Sequence, residues 1–278
     1  MTGSAPRIAE LAYYPVKGCA AVRPATAAIT PAGITHDRAF LVVDGRGVYR
    51  TQRRHPRLAA ITPVVSDDGC RMSLHHPDLP PFSFAVVHSG PRRSVDLFGT
   101  AFGGIDQGPA VGEWLSQAIG ADSRLVRVPP DHRRVTDGHT PGTSNYADSS
   151  AVHILSLSSL ALLNEKLRSA GQPMVPMERF RPNIVVDGWE HAHTEDRLRD
   201  VTIGDCRLGY AKLALRCVVT TVDQRSGRKA GPEPLRTLAG YRRTEGGLAF
   251  GTKFAVVRPG TVSVGDPVAV TGWGVSEM

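Results

Sequence analysis

The sequence lacks a P-loop, a G-x-G-x-x-G fingerprint and a G-x-S-x-G elbow. Phosphate cradling at a glycine-rich helix start, dinucleotide binding and elbow-type hydrolysis therefore have no local footing. Gly45-Arg46-Gly47 is a hairpin turn rather than a phosphate loop. Cysteine is scarce: Cys19, Cys70, Cys206 and Cys217 are the four, and no two form C-x-x-C. That spacing excludes a dithiol redox motif and the usual four-thiolate cluster. Long apolar runs are missing too, and no window approaches the roughly 18 residues of a membrane span. The opening Met1-Thr2-Gly3-Ser4-Ala5-Pro6-Arg7 has no secretory core, so a cytoplasmic protein without membrane contact is expected. No internal repeat or low-complexity segment is present.

What is there reads as a soluble globular chain. Its 278 residues are 41% hydrophobic and 21% charged, enough for a sizeable core in one or two domains. The formal net charge of +7 serves solubility, or it favours an anionic ligand or an acidic protein partner. The basic doublets Arg53-Arg54, Arg92-Arg93, Arg133-Arg134 and Arg242-Arg243 are scattered, with no interleaved aromatics, so nucleic acid is not the expected partner.

Short strands dominate the pattern. Strands are expected at 8–14, 39–43, 48–51, 72–74, 82–87 and 94–97, with Asp44-Gly45-Arg46-Gly47 as a hairpin turn. Val111, Leu115 and Ile119 recur on one helical face that Gly120 ends. Residues 133–148 form a long polar loop without periodicity, a kind of segment that is often functional or disordered. A second helix is expected over 159–169, with a serine cap and Gly171 after it. Strands return at 184–186, 201–203, 207–210, 213–222, 254–257 and 262–270. The fold class expected is mainly β, a barrel with a few helices.

Few segments carry chemistry. His191 and His193, two apart with Glu190, Glu195 and Asp196 beside them, would share one face of a strand and hold a metal, or else form a solvated loop edge. Cys217 follows Arg216 late in a β-branched strand. It is either a buried structural thiol or a thiolate favoured by the guanidinium, able to ligate a soft metal. Lys17 and Arg38 each sit where a strand opens into a loop. They are surface charge, or together they hold one anion. Arg181-Pro182-Asn183 sets donors and acceptors in a stiff array that suits a polar heterocycle or a phosphate.

In this order and spacing, Tyr14-Pro15-Val16-Lys17, Asp37-Arg38, Thr51-Gln52-Arg53, Phe180-Arg181-Pro182-Asn183, Arg216-Cys217 with Thr220-Thr221-Val222-Asp223, and Val264-Gly265-Asp266 resemble the MOSC-domain family. The resemblance is to the branch with an N-terminal β-barrel region, which includes amidoxime-reducing molybdoenzymes and the C-terminal part of molybdenum cofactor sulfurases. It implies an N-terminal β-barrel-like domain over 1–124 packed on a MOSC β-barrel over 125–278. It also implies a molybdenum–molybdopterin cofactor between them, with Cys217 as the metal ligand. Lys17 and Arg38 match residues that hold the pterin and its phosphate. Asp148, Ser150, Arg181, Asn183 and Arg216 match further cofactor contacts. The sequence departs from the pattern at Gly18 and Leu215, where serine is common, and at Lys253, where reducing members can carry tyrosine.

The implied activity is reduction of N-hydroxylated small molecules by oxygen-atom removal. Electrons would come from an external donor, a ferredoxin- or flavodoxin-like protein with its reductase. Asp223, close to the ligand cysteine, is a candidate proton donor or a turn-capping aspartate. The alternative function is a sulfur or cofactor carrier that uses Cys217 as a persulfide or transfer thiol.

Overall fold

The computed structural model describes residues 5–278. The chain is mainly β, as the sequence predicts, with three α-helices among the described residues. Its larger sheet has eight strands. In spatial order they are Arg7–Leu11, Ile184–Asp187, Val152–Ser156, Gly247–Arg258, Cys206–Arg216, Leu198–Ile203 and Ala269–Trp273, with Arg243–Thr244 added beside Gly247–Arg258. All its pairings are antiparallel except that of Val152–Ser156 with Ile184–Asp187. A parallel pair needs a crossover, and the helix Leu157–Ser169 lies within it. That helix packs Leu163 and Leu167 into a small core with Phe180, Leu238 and Phe250.

The first half builds a second core. Phe40–Val43, Arg124–Arg127, Thr100–Asp106 and Arg92–Leu97 form a four-stranded antiparallel sheet. Thr62–Val65, Arg71–His76 and Leu79–Ala85 form a three-stranded one. The helix Pro109–Ile119 covers this core. Proline at its first turn needs no N–H partner, and Gly120 ends it in the left-handed region at φ 77°. Val111, Leu115 and Ile119 are buried as their spacing requires. Each such side chain stabilises the fold by about 1.5–3 kcal/mol relative to exposure.

The two halves are interlocked near the start of the chain. Arg7–Leu11 joins the eight-stranded sheet, and Thr26–Thr30 pairs with Gly260–Ser263. Between these two strands the chain crosses at 14–18 into the first half, where Lys17 N donates to the Phe40 carbonyl at 2.9 Å.

Several sequence expectations need correction. The strand expected over 213–222 stops at Arg216, because its partner begins at Gly247 and offers no ladder beyond Leu248. The threonine hydroxyls then close a 3-10 turn: Thr220 Oγ1 donates to the Cys217 carbonyl at 2.9 Å and Thr221 Oγ1 to Val218 at 2.8 Å. Residues 48–51 make only isolated bridges, although the turn before them forms as read, with Asp44 Oδ1 accepting from Arg46 N and Val48 N. The loop 133–148 contains a short hairpin, Val135–Thr136 with Gly142–Thr143. Its far end is pinned by Arg134 Nη1, which donates to the Asn145 and Ala147 carbonyls at 2.9 and 2.5 Å. His193 is not on a strand. It stands at φ 63°, packed against Tyr241 and Phe250, and burial drives its half-buried imidazole down to about 3.

Candidate functional site

The interlock leaves a cleft of about 300 Å³ between the two halves. Lys17, Arg38, Asp148, Ser150, Arg181, Asn183, Arg216 and Cys217, named from sequence, all face it. They come from five separated stretches of chain, brought together by the crossing at 14–18 and by the ends of the strands around it.

One wall is organised on Tyr14. Its buried ring lies against the guanidinium of Arg38 at 4.2 Å and that of Arg181 at 4.1 Å, and its hydroxyl donates to the Pro182 carbonyl at 3.1 Å. Arg38 donates to Asp37 Oδ2 at 2.5 Å and to Asn183 Oδ1 at 3.2 Å. Asp37 Oδ1 in turn accepts from Tyr14 N at 2.8 Å. Arg38 and Arg181 both adopt left-handed backbone, φ 48° and 55°, which non-glycine residues rarely hold unless their surroundings fix it. Asn183 has both ends of its amide engaged. Its Nδ2 donates to the Ala12 carbonyl, and its Oδ1 accepts from His153 N and Arg38 Nη1. It positions Arg38 rather than offering a free donor to the cleft.

Lys17 is only 8% exposed and its Nζ donates to Asp148 Oδ1. Burial lowers its ammonium against the opposing pull of that carboxylate. The Asp148 side chain is 75% open to the cleft. Desolvation between the two halves opposes its ionisation, but Lys17, Lys253 and Arg38 outweigh this and hold its carboxyl well below the usual carboxylate range. Arg216 Nη2 donates to the Phe180 carbonyl at 2.8 Å. Burial brings its guanidinium down to about 10, opposed by the Cys217 sulfur and Asp148. Three buried polar atoms on the cleft have no partner among the described residues: Ser150 Oγ, Arg181 Nη2 and Arg216 Nε. A buried donor left unmade is costly, so such atoms await something that enters the cleft.

Cys217 is half-buried at the end of its strand. Cys19 and Cys206 are buried, their thiols pushed by burial up to about 12 and about 11, and Cys70 is exposed on a distant hairpin. Cys217 is thus the cysteine of the four that the cleft presents.

Sequence reasoning missed several participants. Arg53 lines the cleft with Cys217, and the proximity of that sulfur holds its guanidinium above the ordinary value. Gln52 and Gln224 form a reciprocal amide pair at 3.0 and 2.9 Å that latches the halves together, and Gln224 Oε1 also accepts from Arg181 Nη1. Arg53 and Gln52 lie in a stretch the resemblance marks, but nothing local to them points to their partners. Asp223, the sequence candidate for proton donation, is outside the cleft. Its Oδ1 accepts from Ser226 N and Oγ at 2.8 and 2.7 Å, so it caps a turn.

The structure is thus a mainly β protein whose interlocked halves close a cationic cleft that presents one thiol. The MOSC N-terminal beta barrel domain matches residues 5–122 and the MOSC domain matches residues 141–269. The chain belongs to the MOSC family, in the branch with the N-terminal barrel. Mitochondrial amidoxime-reducing component 1 of Mus musculus is 32% identical over 95% of this chain and 82% of that one. Mitochondrial amidoxime reducing component 2 of Rattus norvegicus is 32% identical over 94% and 82%. Molybdenum cofactor sulfurase of Anopheles gambiae is 30% identical over 88% of this chain but only 34% of that one.

Proposed function

We propose that this chain holds a molybdenum–pterin cofactor in the cleft and reduces N-hydroxylated small molecules there. The observation that carries the reading is the presentation of Cys217, among four cysteines, into a cleft whose cations include buried donors without partners. A thiolate is a soft ligand suited to molybdenum, and the donors suit a phosphate and a polar heterocycle. Arg181 and Arg216 would hold polar edges of such a group with Ser150, while Lys17 and Arg38 add the charge that favours its phosphate. Arg53 adds a further cation to the same cleft. Phe98, Leu213 and Val219 line the same cleft and limit water. Bound there, the cofactor supplies two-electron removal of an oxygen atom from the substrate. The names of the amidoxime-reducing relatives support the same activity.

Electrons would come from a separate acidic carrier, a ferredoxin- or flavodoxin-like protein with its reductase, drawn by the net charge of +7. One assay tests both parts. Loaded protein is expected to reduce an amidoxime with a chemical reductant, and Cys217→Ser to lose that activity, while Cys70→Ala keeps it. Full activity in Cys217→Ser contradicts the reading, and sulfane sulfur on Cys217 without turnover points to a carrier instead. With the protein donor below saturation, the rate should fall as the Debye length shrinks from roughly 30 to 10 Å. A salt-indifferent rate removes the docking part.

A further inference from the structure

The chain has five lysines, Lys17, Lys166, Lys212, Lys229 and Lys253, and three of them face the cleft. Lys253 sits midway along Gly247–Arg258. Its cross-strand partners are His153 on one side and Lys212 on the other, so three basic residues stand abreast on one face of the sheet. Lys212 donates to Asp137 at 2.6 Å. His153 is fully buried against Gly251, whose left-handed φ of 82° and missing Cβ make room for the ring. Lys253 has no ion pair or hydrogen bond among the described residues, and its half-buried side chain opens on the cleft.

Besides the cross-strand Lys212, the charged groups around it are Arg38 and Arg216, which repel its proton, and Asp148 and Asp37, which attract it. Glu195 and Asp196 lie behind the sheet, where neighbouring Thr252 Oγ1 donates to the Glu195 carbonyl. Burial and the two guanidiniums bring the Lys253 ammonium down to about 7. Of the other groups on the cleft, Lys212 is paired with Asp137, and burial raises the Tyr49 phenol above its ordinary value. Asp148 is held ionised by Lys17, Lys17 is held by Asp148, and the arginines are too basic.

We propose that Lys253 is the acid that protonates the departing oxygen of the N-hydroxylated substrate. The proposal rests on the functional reading above. In the overall step the N–O bond breaks and an N–H bond forms. Two electrons arrive from the external carrier, and two protons complete the amine and water. Lys253 Nζ gives one proton to the leaving oxygen and is recharged from bulk solvent, which also supplies the proton of the new N–H bond.

The first test needs no cofactor. In protein labelled with carbon-13 lysine, the side-chain signal that disappears in Lys253→Arg should titrate near pH 7. Titration above pH 9 overturns the proposal. The second is the pH profile of the loaded enzyme with a chemical reductant. Wild-type turnover should fall as pH rises through the Lys253 titration, because the acid form is then lost. Lys253→Met and Lys253→Arg should both keep molybdenum, lose about a hundredfold in turnover and lose that limb. Wild-type turnover in Lys253→Arg means that only the positive charge matters, which also overturns it. An inactive wild type brings down the functional reading and this inference together. An active wild type whose limb persists in both variants brings down this inference alone.

Discussion

Arg181 shows how one residue is fixed by its neighbours before it meets any ligand. Its left-handed backbone, its stacking on Tyr14 and its bond to Gln224 leave one buried nitrogen free on the cleft. Arg181→Ala should therefore lower molybdenum content severalfold while the folded fraction stays near wild type. Removing one partner of a desolvated charged contact typically costs about 2–5 kcal/mol. Metal analysis of purified protein checks it, and wild-type molybdenum in the variant contradicts the anchoring role. At this scale the sequence was legible wherever a motif carried the residue, as for Lys17, Arg38, Arg181 and Cys217. Tyr14 lies within such a motif, but its part as the platform for two guanidiniums is not readable from it. That depends on Arg181 folding back over it from the other half of the chain, which no local spacing encodes.

Elements were legible where periodicity and punctuation agreed. The helix ended by Gly120 is as read, whereas the second helix begins at Leu157 and not at 159, because Ser156 is the cap. Ser156 Oγ accepts from Ser159 N at 3.1 Å and donates to the fully buried Glu195 at 2.9 Å. The run of serines offered several caps, and only the tertiary contact with Glu195 selects among them. Ser156→Ala should cost about 1–3 kcal/mol, from the lost cap and a carboxylate short of one donor. Denaturant unfolding reads it, and a midpoint equal to wild type would mean that the cap carries no weight. The strand ending at Arg216 misled in the opposite sense. Its β-branched run continues past Cys217, yet the partner strand stops and the threonines turn the chain, which brings the thiol to the rim of the cleft.

At the scale of the whole molecule, the site exists because the two halves are woven together rather than merely apposed. The first strand lies in the larger sheet, the crossing at 14–18 lines the cleft, and the Gln52–Gln224 pair closes it. The mainly β class was legible from strand count and turn chemistry. The weaving was not, because long-range pairings such as Thr26–Thr30 with Gly260–Ser263 leave no trace in local pattern. The central claim is that this assembly binds molybdenum through Cys217. The most direct measurement is metal analysis with sulfur counting by X-ray absorption, on protein made in a cofactor-competent host, for wild type and Cys217→Ser. Near-stoichiometric molybdenum is expected in the wild type, with three sulfur neighbours, two from the pterin and one from Cys217. The count should fall to two in any molybdenum that the variant retains, because serine offers a harder oxygen. A wild type without molybdenum, or the same sulfur count in both proteins, would contradict it.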